Sequence, residues 1–263
     1  MTVLDERPRR ARSIGRSAGA AALFMLLAGC PGGEVGTGTD GAAQGAGTEA
    51  RPAAFAPSVS TAVGQTCTDG WRAHGHTGQP QAQAFLRECL AEQGVVGQRM
   101  TRDGVLASAA TVIPADSPLT SLVPGDIAAY CPGYAGLDAE GRADFWRALV
   151  TAIARPESDF RTDASLWELG DLNQFSIGLL QLSYTDRAYG CDFTNEADIA
   201  DPARNLACGA RILNKWVSSD GVIGGGSASN RGGARYWSTL RRNSPGRAEV
   251  IGVTSNLPAC RAG

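Results

Sequence analysis

Six cysteines constrain the folded part of this chain more than any other feature. The sequence has seven, and setting aside Cys30 leaves Cys67, Cys89, Cys131, Cys191, Cys208 and Cys260. Six is even, and the chain begins with a segment that reads as an export signal, so three disulfides are the economical expectation. Six cysteines allow about fifteen connectivities. Proximity in sequence favours Cys67–Cys89 and Cys191–Cys208, which leaves Cys131–Cys260 to close a long loop around the C-terminal half of the chain. A zinc site is the rival reading. It finds little support, because no CxxC pair occurs and the only histidines are His74 and His76. No metal and no other cofactor is expected.

The export reading rests on the first thirty residues. Arg9, Arg10, Arg12 and Arg16 form a basic start, and Ala18 to Ala28 is an apolar run. That run is too short for a permanent membrane span and has the pattern of a cleaved signal. It ends in Leu27-Ala28-Gly29-Cys30, small residues before a cysteine, which resembles the lipobox of bacterial lipoproteins. The resemblance implies cleavage before Cys30 and lipidation of its thiol, hence an exported, membrane-anchored protein facing the periplasm or cell surface. Residues 30–66 are rich in Gly, Ala and Thr and poor in large apolar residues. They read as a flexible tether with a reach of about 30–35 Å. Residues 67–124 read as a small N-terminal extension of helix and loop, and 125–263 as the main domain.

Within the extension the pattern predicts a helix over Gln79–Gln93, with Phe85, Leu86, Cys89 and Leu90 on one face and Gly94 as its stop. Residues 96–124, punctuated by Pro114, Pro118 and Pro124, read as loop. In the main domain Asp138 caps a helix running to about Arg155, with Phe145, Trp146, Leu149, Val150 and Ile153 as its buried stripe. Pro156 is expected to end it, which puts Glu157 just past a helix end. Residues 165–184 suggest short strands or a tight apolar loop. Asp201-Pro202 marks a strong helix start. After a Gly-rich loop from Gly221 to Gly226, a final helix is expected near Ala234–Arg242. The fold class is therefore mainly α with a small β element, and no internal repeat occurs.

Charge is uneven. From Arg211 onward there are eight basic and two acidic residues, against eleven basic and twenty-two acidic over 31–210. A basic C-terminal face attracts anionic polymers. No basic stripe interleaved with aromatics occurs, and export argues against nucleic acid as a partner.

Glu157 is the candidate catalytic residue. A carboxylic acid protonates a glycosidic oxygen near neutral pH only if burial disfavours its charged form, and Phe160 with the apolar 175–182 stretch offers such surroundings. Most glycosidases use two carboxylates. The candidates for a second are Asp159, Asp163, Glu168 and Asp171, and the sequence singles out none. With no second acid, the substrate itself must help: an acetamido group assists at the anomeric carbon, and the sugar's C6 hydroxyl becomes a plausible nucleophile.

Three short motifs carry a resemblance. Glu157-Ser158-x-Phe160, Ser176-Ile-Gly178-Leu-Leu-Gln181 and Asp201-Pro202-x-x-Asn205-Leu-x-x-Gly209 resemble the soluble lytic transglycosylase domain of the lysozyme-like superfamily, over about residues 127–242. The resemblance implies an α+β lysozyme-like fold for 125–263. It implies cleavage of the β-1,4 bond between N-acetylmuramic acid and N-acetylglucosamine in peptidoglycan glycan strands, with a 1,6-anhydro product and Glu157 as acid and base. Ser158 is expected to hold the acid's loop. Gln181 is implied as a sugar contact, and Ser176 and Tyr236 are further candidates. A monomer is expected. The sequence departs from the family at Pro156, at Leu180 in place of methionine, and at Ala234-Arg-Tyr236-Trp237, which only echoes the family's Ala-Tyr-Asn-Ala-Gly run. Two alternatives stay open: a goose-type-lysozyme-like hydrolase that uses water, and a wall-binding lipoprotein that keeps the fold without activity.

Overall fold

The computed structural model describes residues 66–74, 78–225 and 229–261. The signal, Cys30, the tether up to residue 65 and His76 lie outside the described residues. Helices α1 (Thr66–His74) and α2 (Gln79–Glu92) come first, joined by the Cys67–Cys89 disulfide. Helix α2 follows the expected span, and Gly94, at φ 82°, supplies the left-handed residue after it. His74 ends α1 and is exposed, with its ring edge on Phe85.

Helix α3 (Arg102–Val112) corrects the loop expected over 96–124. Its stripe is sparse: only Val105 and Ala109 are buried within it. The hydroxyl of Thr101 accepts from Gly104 N at 3.0 Å and starts the helix, and packing against α5 and α7 sustains it. The prolines punctuate the segment after it, with Pro118 opening a 3-10 turn over Pro118–Ser121.

After the short α4 (Ile127–Tyr130), helix α5 (Ala139–Ser158) forms the core. Asp138 caps it as expected, accepting from Gly141 N at 2.8 Å. Phe145, Trp146, Leu149, Val150 and Ile153 are fully buried. The helix does not end at Pro156 but continues through Ser158. Pro156 forfeits its own N–H bond and crowds the carbonyl four residues back, yet Asp159 N still closes the last turn on Arg155 O at 2.8 Å. The stop is conformational: Asp159 and Phe160 take left-handed φ of 52° and 62°.

Strands β1 (Ser165–Glu168) and β2 (Gln174–Ile177) make one antiparallel hairpin, in which Trp167 faces Phe175 and Glu168 faces Gln174. Trp167 and Phe175 pack on Trp71 of α1, so the hairpin is seated on the N-terminal helices. Helix α6 (Glu196–Ala200) and helix α7 (Pro202–Asp220) come next. Asp201 caps α7 through Arg204 N at 2.8 Å, and the Cys191–Cys208 disulfide ties the preceding loop to it.

The helix expected over Ala234–Arg242 is two 3-10 turns, Gly232–Arg235 and Ser238–Leu240, and the last helix is α8 (Pro245–Ser255). The chain must approach neighbours too closely for a regular helix there: a Cβ at Gly232 would lie 2.1 Å from Val222 O. Cys260 closes onto Cys131. All three disulfides are the pairs favoured by the sequence, and three such bonds fit a compartment outside the reducing cytoplasm. No helix among the described residues is long and apolar enough to cross a membrane.

Candidate active site

Glu157 lies on the last turn of α5 and is only 8% exposed. Helical periodicity explains this, because it continues the buried stripe of Val150 and Ile153. Thr239 Oγ1 donates to its Oε1 at 2.6 Å, and Thr239 is itself 4% exposed. Distances of about 2.5–2.7 Å are usual for a hydroxyl bonded to a carboxylate. Ser158, next in sequence, donates to Ala154 O at 2.9 Å and so braces the turn that carries the acid.

Beside this turn the chain makes the tight loop Gly178-Leu-Leu-Gln181. Gly178 has φ 78°, and a Cβ there would lie 2.7 Å from Asn205 Nδ2 and 2.9 Å from Ile199 O. Asn205 fills the loop from α7: its Oδ1 accepts from Leu180 N at 2.9 Å, while its Nδ2 donates to Ile177 O and Ile199 O. Gly209, one turn further, leaves room for Leu180, whose Cδ1 would be 2.1 Å from a Cβ. The third motif is thus the packing surface for the second. Gln181 is buried, and its amide donates to Ala164 O and Gly178 O, both at 3.0 Å.

The hairpin face opposite Trp71 carries Leu166, Glu168, Gln174 and Ser176. Ser176 is fully buried and donates to Glu168 Oε1 at 2.8 Å, and Gln174 donates to Thr185 Oγ1 at 2.9 Å. The other carboxylates considered are differently placed. Asp159 is exposed and paired with Arg99, Asp163 pairs with Arg161, and Asp171 is exposed at the hairpin turn.

Tyr236 is buried and donates its hydroxyl to Asp186, a fully buried carboxylate that also accepts from Ser183 N at 2.7 Å. Asp186 was not singled out in the sequence, although Ser183-x-x-Asp186 has the spacing of a capping box. Trp237 donates through Nε1 to Leu180 O at 3.0 Å. Segment 236–239 therefore makes three attachments, to Asp186, to the Gly178–Gln181 loop and to Glu157. No local signal in the sequence marks Thr239, since it meets Glu157 across a separation of 82 residues.

A pocket of about 550 Å³ opens elsewhere on α5, beside Thr151, Arg155, Phe160 and Glu249, and Glu157 does not line it. Arg155 and Glu157 are two residues apart, about 200° around the helix, so they face different ways. No cluster of three or more metal-ligating side chains occurs among the described residues.

The helical body, the small hairpin and the buried acid at a helix end define a protein of lysozyme-like fold. Three solved structures of Bd0314 DslA, a Bdellovibrio protein, match at 36% identity and a TM-score of 0.54, over 60% of this chain and 90% of theirs. The chain belongs to the same lysozyme-like family as DslA. One of these structures is wild type, and the other two each carry one glutamate-to-glutamine change, at positions eleven residues apart. No protein-family model matches the sequence, and no curated protein matches it.

Proposed function

We propose that this chain cleaves the β-1,4 bond between N-acetylmuramic acid and N-acetylglucosamine in peptidoglycan, with Glu157 as general acid and base. The observation that carries the reading is the burial of Glu157 against Thr239 at the end of the core helix. A carboxyl held out of bulk water retains its proton more readily. In the first step Glu157 gives that proton to the glycosidic oxygen, and the bond to the anomeric carbon breaks with help from the acetamido carbonyl. In the second, the ionised carboxylate takes the proton of the muramoyl C6 hydroxyl as its oxygen bonds to the anomeric carbon. The product is a 1,6-anhydro sugar, and no water is consumed. Gln181 and Tyr236, with Ser176 behind them, are proposed to support the walls of the sugar subsites from within, and Cys30 to carry the lipid that holds the enzyme at the membrane.

A second reading, lysozyme-type hydrolysis, is favoured by a specific observation. Glu157 and Glu168 are the only two glutamates in this chain eleven residues apart, the same separation as the two altered glutamates of DslA. Glu168, fixed by Ser176, is then the second carboxylate, and water replaces the C6 hydroxyl as nucleophile.

Digestion of purified sacculi by the wild type and by Glu157→Gln, with mass analysis of the released muropeptides, tests both readings. Anhydro products, about 18 mass units lighter than their hydrolytic counterparts, support the first reading, and water-added products the second. Release by Glu157→Gln at the wild-type rate, or none by the wild type, refutes both. The rate with Glu157→Gln is expected to fall by at least about a hundredfold, the usual contribution of a general acid.

A further inference from the structure

We propose that Thr239 is a positioning residue that holds the Glu157 carboxyl in the orientation from which it delivers its proton. The inference rests on the reading of Glu157 as the acid. Its geometric basis is the 2.6 Å contact between two buried side chains that no motif connects. A glutamate at a helix end has three rotatable bonds, and the backbone alone does not fix where its oxygens point. Thr239 fixes one of them. With Oε1 accepting the hydroxyl, one carboxyl oxygen is held in place and the plane of the group is restricted with it.

Thr239 suits this task because it is held itself. Its 3-10 turn comes directly after Trp237, whose indole is tied to Leu180 O and whose backbone N–H is tied to Gly233 O at 2.8 Å. On its other side, Gly246 at the start of α8 lies so close that a Cβ there would meet Thr239 Cγ2 at 2.9 Å. The methyl group is therefore packed and the hydroxyl is directed at the acid. Its β-branching further restricts χ1. The short turn in place of the expected helix is what brings residue 239 to the acid.

The test uses the full chain and four variants, Glu157→Gln, Thr239→Val, Thr239→Ser and Gly246→Ala, each checked for a native melting transition. Soluble, uncrosslinked glycan strands serve as substrate, and kcat, KM and the pH–rate profile are measured. Thr239→Val keeps shape and loses the hydroxyl. It is expected to lower kcat by about ten- to a hundredfold, the scale of a small misplacement of a reacting group, with KM within about twofold. Losing a donor to the ionised form favours the protonated carboxyl, so the alkaline limb of the profile moves to higher pH. Thr239→Ser restores kcat and the profile. Gly246→Ala, which displaces Thr239 without removing its hydroxyl, lowers kcat in the same direction by less, and it carries the test if Thr239→Val does not fold. Wild-type kcat and pH profile in Thr239→Val, or in Gly246→Ala where that variant carries the test, overturn the proposal if Glu157→Gln is inactive. So does failure of a folded Thr239→Ser to rescue. Activity in Glu157→Gln instead refutes the underlying assignment of the acid.

Discussion

Asn205 shows how much a single side chain can hold. It satisfies one backbone N–H and two backbone carbonyls, all buried, in the loop beside the candidate acid. Asn205→Ala removes this partner from Leu180 N and Ile199 O, while Ile177 O still accepts from Leu182 N at 3.0 Å, and each buried unsatisfied group costs about 1–3 kcal/mol. The expected loss is at least about 2 kcal/mol, read as a lower midpoint of chemical denaturation. A loss below about 1 kcal/mol means that the loop re-forms its bonds without the side chain. The sequence made Asn205 visible through its place in a motif, but its work is packing. Glu157 stands out in the sequence through three ordered motifs, while its place on the last turn of α5 does not, because Pro156 reads as the helix stop. Thr239 and Asp186 do not stand out, because each acts through a contact between segments distant in sequence, and residue type alone does not reveal such contacts.

Among elements, the long amphipathic helices and their caps were readable, since Asp138 and Asp201 announce α5 and α7 directly. Helix α3 was not, because its buried face has two apolar side chains and its stability comes from neighbours. Ser244-Pro245 carries the same start signal as Asp201-Pro202 and, given that weight, locates α8. At this scale one contact has a consequence for stability. Glu196 of α6 is 1% exposed and accepts from Thr68 N of α1 at 2.9 Å, and burial raises its pKa above the ordinary value. A raised folded value means that the native state binds the proton more tightly than the unfolded chain. The stabilising contribution is therefore full below the ordinary glutamate range and is lost as pH rises through the folded value. Glu196→Gln removes this dependence. Melting temperatures of the two proteins should thus shift in favour of the wild type on acidification from neutral pH into the glutamate range. A difference that stays constant with pH removes Glu196 as the source.

On the scale of the whole molecule, the Cys131–Cys260 disulfide joins residues 129 apart, and both cysteines are fully buried. The loop it closes contains α5, the hairpin, α7 and Thr239, so every candidate site residue lies between its ends. In the chain-entropy view such a bond acts on the unfolded state, and a loop of roughly a hundred residues corresponds to about 4.7 kcal/mol against about 3 for one of fifteen. The Cys191–Cys208 bond, at a separation of 17, is the internal control. Replacing both cysteines of the long bond by alanine should therefore destabilise more than the same change at the short one, by about 1–2 kcal/mol. It should also steepen the denaturant dependence, because a chain released from a long loop exposes more surface on unfolding. The site should respond differently. Gly133 N bonds Cys260 O at 3.0 Å, and α8 packs on both α4 and α5, so the two ends remain attached without the sulfurs. Muropeptide release well below the melting temperature is then expected to stay near the wild-type rate. A variant that keeps its melting temperature but loses activity would show instead that the bond shapes the folded site, and the separation of tether from active site would fail.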